Sequence, residues 1–348
     1  AETLYVVGGL YGNLPALETI EAMAAGEPGP VSIVFNGDFN WFNVDDAGFA
    51  EINRRVLAHQ ATLGNVEAEL GATGDATGCG CAYPAHVEGA VVERSNRIHA
   101  RLKATAARHP ALLERLAALP MVARFVVGDC RIGIVHGDAD SLAGWRFDAT
   151  ALDDPDNEGW VREAFRRADV DVFASTHTCL PALRTFRGSD RAGLVINNGA
   201  AGMPNFSGRR AGLLTRISRT PPNDTAFYGA TLRGVHIHAL PVAYDAAAWE
   251  RQFLANWPPG SPAWLSYYRR IAHGPAHDLR HAAGHEHLHG GVVERPVRQR
   301  VDQPRRRAVD ALPVFDRRRP QPRGVRDGGH VQQEVGRAAE RGVKQHRV

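Results

Sequence analysis

The chain has 348 residues, 44% of them hydrophobic, and a formal net charge of +3. That length suits one large domain or two ordinary ones, and no run approaches the roughly 20 apolar residues of a membrane span. From His273 onward 16 Lys and Arg face 9 Asp and Glu, so the preceding segment is net acidic by four charges. A basic excess confined to a tail gives no reason to expect nucleic acid as a partner of the fold.

In chain order, residues 3–8 (T-L-Y-V-V-G) read as a buried strand. A helix follows, with Asn13 as its cap, Pro15 in its first turn and Gly26 at its end. Residues 31–35 form a second strand ending at Gly37-Asp38, then a helix runs near 46–59, followed by the turn bearing Gly64-Asn65. Residues 70–88, rich in Gly, Ala and Asp, read as an insertion loop. Helical periodicity runs from 91 to 119 with one break at Pro110. Strands at 122–127 and 131–135 deliver His136, and a helix near 158–167 precedes a strand at 170–174 that delivers His177. Further strands are expected at 183–186, 194–196 and 212–217, with a half-exposed one at 235–242. Periodicity fades after residue 272. The expected organisation is a domain over 1–272 and a basic, His/Arg/Pro-rich disordered tail over 273–348.

Four cysteines, Cys79, Cys81, Cys130 and Cys179, contain no C-x-x-C pair. They are read as reduced thiols, with Cys79 and Cys81 on an exposed loop; a metal or redox role for that pair is the lesser reading. The N-terminus enters a strand without a basic flank or an apolar signal core, so the expected location is cytoplasmic. His273, His277, His281 and His285 recur every four residues, followed by His287 and His289. Gly274, Pro275 and Gly284 interrupt any helix there, so adventitious metal binding by the tail is the preferred reading. The arginine runs 305–307 and 317–319 lack the aromatic interleaving of RNA recognition.

Asp38, Asn65, His136 and His177 each follow an apolar run, where strand tips of an α/β fold converge. One carboxylate, one amide and two imidazoles suit a divalent metal such as Mn, Fe, Ni or Zn. The motifs around them carry a resemblance. G-G-L-Y-G-N-L-P-A-L (8–17), N-G-D (36–38), G-N (64–65), V-H-G-D (135–138) and T-H-T-C-L-P (176–181) occur in the order seen in calcineurin-like metallophosphoesterases. I-N-N-G-A-A-G-M-P (196–204) resembles a further motif of that family, and the small bacterial phosphodiesterases and phosphatases are the most similar subgroup. The resemblance covers about residues 3–245. It implies a four-layer αββα sandwich of two mixed sheets flanked by helices, an α/β architecture of the α+β type.

The resemblance also implies two metals side by side, bridged by Asp38, with Asn65, His136 and His177 completing the second position. Asn65 and His136 would be catalytic. The first position departs from the family pattern. Its usual Asp is Gly9, its usual His is Tyr11, and its last His is Cys179. One ion is therefore expected rather than two. Val66 stands where many family phosphatases place a His that protonates the leaving group, worth about 10²–10⁴-fold. Tyr11 reads as a hydrogen-bonding wall of the pocket and Cys179 as a small buried residue or a thiolate ligand. Asp138 and Asp140 either orient His136 or solvate a loop. The expected function is hydrolysis of a small phosphorylated substrate by a metal-activated water. The alternative is an inactive homologue that binds a phospho-ligand or a protein. The sequence leaves the oligomeric state open.

Overall fold

The structure, a computed structural model, describes residues 1–71, 78–187, 192–222, 226–284, 287 and 288. Strand β1 (Thr3–Val7), helix α1 (Leu14–Ala25), β2 (Val31–Asn36), α2 (Asp46–Val56), β3 (Gln60–Thr62) and α3 (Asn65–Leu70) open the chain. Helices α4 (Gly89–Ala106) and α5 (Pro110–Ala117) follow, separated where Pro110 lacks an N–H and starts a new first turn. The second half begins with β4 (Val122–Val127), β5 (Cys130–Val135), α6 (Ala149–Leu152), α7 (Pro155–Ala168) and β6 (Val172–Ser175). It continues through β7 (Pro181–Arg187), β8 (Ala192–Asn198), β9 (Gly212–Ser218), β10 (Tyr228–Leu232) and β11 (Val235–Val242). Helices α8 (Ala246–Asn256), α9 (Pro262–His273) and α10 (Leu279–Ala282) close the described part.

Two mixed sheets result. One has the order β10-β11-β9-β1-β2-β3 and the other β4-β5-β6-β8-β7. β1, β2 and β3 run parallel, as do β5, β6 and β8, while the remaining pairings are antiparallel. Alternation along β1 sends Leu4 and Val6 toward the second sheet, where Ile132, Ile134, Val172 and Ile196 share their cluster. Tyr5 and Val7 face the other way, onto Leu17, Ile20 and Phe49 of α1 and α2. On the outer face of the second sheet, Phe173 and Val195 pack against Val161 and Phe165 of α7. Both faces of both sheets are thus apolar, which accounts for the near-continuous hydrophobic runs of the central strands.

The secondary structure and packing depart from the sequence reading at β11, at α8 and α9, and beyond residue 272. β11 is covered on both faces, and His238 on its supposedly polar side is buried. α8 and α9 lay unread, although Asp245 and Ser261 cap them with side-chain bonds to backbone N–H groups. The packed chain also runs past residue 272. Ala282 and Ala283 are fully buried, Ala283 bridges to Leu183, and Leu288 bridges to Tyr228. His277 is buried against the carbonyl of Pro181 and does not wave in a tail. His285, His289, the two arginine runs and part of the insertion loop (72–77) lie outside the described residues. No described helix is long and apolar enough to cross a membrane.

Candidate metal centre

The parallel strands of both sheets end at one place, and the loops leaving them carry the site. β2 delivers Asp38 through Gly37, whose φ of +74° belongs to the left-handed region. A Cβ on Gly37 would stand 2.4 Å from backbone of Gly64 and 2.7 Å from Nδ1 of His136, so glycine is the residue that fits. β3 leads to Asn65 in the first turn of α3, β5 to His136 and β6 to His177. All four side chains come together. His136 Nε2 lies 3.1 Å from Oδ1 of Asn65, 3.4 Å from Oδ2 of Asp38 and 3.3 Å from Nδ1 of His177. Ligand atoms of Asp38, His136 and His177 all fall within 4.8 Å of one another, and the three residues are buried.

Hydrogen bonds on the far side of each group settle which atoms face inward. His136 Nδ1 donates to the carbonyl of Asn36 at 2.8 Å, which turns the Nε2 lone pair to the cluster. His177 Nε2 donates to the carbonyl of Cys81 at 3.1 Å, leaving its Nδ1 lone pair inward. Asn65 Nδ2 donates to the carbonyl of Cys79 at 2.8 Å, so Oδ1 points in. Two oxygens and two ring nitrogens therefore converge as electron-pair donors, a set that fits a divalent cation.

Burial opposes charge on the His136 ring, yet the adjacent Asp38 carboxylate overrides it and holds the pKa above the usual value. Burial and then the neighbouring His136 push His177 down to about 4, so it is a neutral ring at pH 7. Burial also works against the Asp38 carboxylate, but the facing His136 outweighs it and keeps Asp38 ionised.

The residues at the positions where a first metal was expected, Gly9, Tyr11 and Cys179, also lie together. Tyr11 and Cys179 both have positive φ, and the Tyr11 hydroxyl lies 2.9 Å from Cys179 Sγ. A Cβ on Gly9 would stand 2.8 Å from the ring of Tyr11, so the phenol fills the room a carboxylate there would need. Burial raises the Cys179 thiol, which removes thiolate character from it. Val66 is buried beside the cluster and offers only its backbone N–H, donated to Asp38 Oδ1 at 3.1 Å. Asp138 accepts from the backbone of Asp140, Ser141 and Arg146, and Asp140 from Trp160 and Arg167, so neither orients His136. That task belongs to the backbone of Asn36.

Several contributors were invisible in the sequence. Glu67 is buried and accepts from the backbone N–H groups of Asp38 (2.7 Å) and Asn40 (3.2 Å), shaping the loop that presents Asp38. Burial, reinforced by the Asp38 charge, pushes Glu67 up to about 7. A carboxylate two residues after Asn65 was the available signal, but nothing local marks it as buried. The cavity over the cluster measures about 50 Å³ and is walled by Trp41, Tyr83, Trp145 and Tyr267. Among the described residues, no Lys or Arg lines it. Cys79 and Cys81 form a disulfide, with Cys79 buried, so the pair is neither reduced nor on an exposed loop. Cys130 and Cys179 are free, as expected.

Solved structures share this fold. A metallophosphoesterase from Sphaerobacter thermophilus superposes with a TM-score of 0.50 at 17% identity, covering 78% of this chain and all of its own. The fold is that of a metallophosphoesterase. A hypothetical protein from Pyrococcus horikoshii OT3 superposes with a TM-score of 0.53 at 15% identity, covering 79% of this chain and 99% of its own. No protein-family profile matches the chain, and no curated protein does.

Proposed function

We propose that this metallophosphoesterase-fold protein is a phosphoric ester hydrolase working with one divalent cation held by Asp38, Asn65, His136 and His177. The observation that carries this reading is the inward convergence of four lone-pair donors, three of them with their outer nitrogens tied to backbone carbonyls and Asp38 with its other oxygen held by Val66 N–H. A cation there supplies a Lewis acid that polarises a phosphoryl oxygen and lowers the pKa of a water. The protein's own groups do the rest. Asp38 neutralises charge, His136 and His177 enter as neutral rings, and Asn65 adds an uncharged oxygen beside the bound phosphate. The aromatic walls exclude water, and their small cavity leaves the alcohol portion of the substrate outside. With Val66 in place of an acid, esters with good leaving groups are the favoured substrates.

The second reading, a silent phospho-ligand or protein binding module, draws on the Tyr11 ring occupying the first-metal room. Elemental analysis and a substrate panel separate the two. Protein loaded with Mn²⁺ should hold one equivalent and hydrolyse bis-p-nitrophenyl phosphate or p-nitrophenyl phosphate, and His177→Ala should abolish both properties. Turnover that survives His177→Ala removes the hydrolase reading, and a folded protein without metal or turnover supports the binding module.

A further inference from the structure

The segment Cys79-Gly80-Cys81 borders the cavity through Cys81 and is closed on itself by the Cys79–Cys81 disulfide, with Cα atoms 5.3 Å apart. Its two cysteine carbonyls are the groups that orient two of the four inward side chains. Cys79 O accepts from Asn65 Nδ2 at 2.8 Å, and Cys81 O accepts from His177 Nε2 at 3.1 Å. Cys81 O also takes the indole N–H of Trp145 at 3.1 Å, and Cys79 N–H is held by Asn96 Oδ1 at 3.0 Å. The cross-link therefore holds two carbonyls in a fixed relation, each setting the orientation of one ligand. Resting on the cation reading above, we propose that Cys79–Cys81 is a redox-active brace whose reduction weakens divalent-cation binding at Asp38, Asn65, His136 and His177.

The chemistry balances with a dithiol as reductant. One thiolate of the reductant attacks the sulfur of Cys81, a residue that lines the cavity, while Cys79 is 3% exposed. The Cys79–Cys81 bond breaks, and Cys79 leaves as a thiolate that takes up a proton. The second thiol of the reductant then displaces Cys81, which is protonated in turn. Two electrons and two protons pass to the protein, and the reductant leaves as its own disulfide. Two thiols must then sit at van der Waals separation where a covalent bond held them, with Cys79 buried. The three-residue segment shifts, and its carbonyls lose their register with Asn65 and His177.

The experiment compares air-oxidised protein with protein reduced by dithiothreitol and desalted under nitrogen. Denatured oxidised protein should show two titratable thiols and the reduced form four. Equilibrium dialysis with Mn²⁺ should show affinity about 10- to 100-fold weaker after reduction, the usual effect of losing an outer partner of a ligand. Cys79→Ser combined with Cys81→Ser should bind as weakly as the reduced protein and ignore the reductant. In metal-free protein, ¹⁵N spectra of the His177 ring should show the proton on Nε2 when oxidised and a mixture of tautomers when reduced. Four thiols before reduction, equal or tighter Mn²⁺ binding after it, or an unchanged His177 tautomer overturns the proposal alone. Absence of Mn²⁺ binding in both states overturns the cation reading as well.

Discussion

At the scale of single residues, the proposed one-cation site turns on positions 9 and 11. Tyr11 and Gly9 depend on each other, because the phenol stands 2.8 Å from where a Cβ at position 9 would lie. Gly9→Asp alone should therefore misfold locally and lower the melting temperature. Gly9→Asp with Tyr11→His removes the ring, and metal analysis should then find a second equivalent; a single equivalent would show that the first motif is misaligned. Glu67 offers a separate test. Its native pKa of about 7 lies above its ordinary value of 4.5, so its contribution to stability is full at low pH and is lost as pH rises from 4.5 through 7. Glu67→Gln does not titrate. The melting temperature of metal-free wild type relative to Glu67→Gln should fall across that window, and metal affinity of the variant should drop about tenfold. A pH-independent difference would show that Glu67 is ionised throughout.

At the scale of elements, α1 shows how one cap serves two segments. Asn13 is fully buried; Oδ1 accepts from Ala16 N at 3.0 Å and Nδ2 donates to Gly202 O at 2.9 Å. The helix start and the 196–204 segment are thereby clamped behind Gly9. Asn13→Ala removes a cap and orphans a buried carbonyl, so urea denaturation should show a loss of about 2–3 kcal/mol. A loss near zero would mean that water replaces both bonds. Strand β4 is the edge of its sheet, with Val122 and Val126 exposed, and the N-terminal ammonium donates to Val126 O.

At the scale of the whole molecule, the C-terminal boundary is set by packing rather than by composition. Arg184 donates to the carbonyls of Ala282 and His281, and Ala283 pairs with Leu183 at the outer strand β7. A chain ending at residue 288 keeps these contacts, and one ending at 272 loses them. Calorimetry should find the shorter chain melting several degrees lower; coincident transitions would return the 273–288 segment to the tail. The two strand systems meet only through long-range packing, which explains why the site draws on residues from Asp38 to His177.

Much of this was legible locally. The apolar runs, the Asn13 cap, the Pro110 break and the four residues at strand ends follow from propensity and short spacing, which act within a few residues. Burial of His238 and Glu67, and the closing of His277 onto Pro181, do not, because each depends on which distant surface arrives to cover it. The sequence by itself determined the order of the elements that carry the site, the layered fold and the identity of the four converging side chains, while α8 and α9 went unread. Only the tertiary structure decided their inward atoms, the contact of the Tyr11 phenol with Gly9 and the Cys79–Cys81 disulfide beside them. Those features are set by hydrogen bonds and steric contacts between segments far apart in the chain, and no local pattern encodes them.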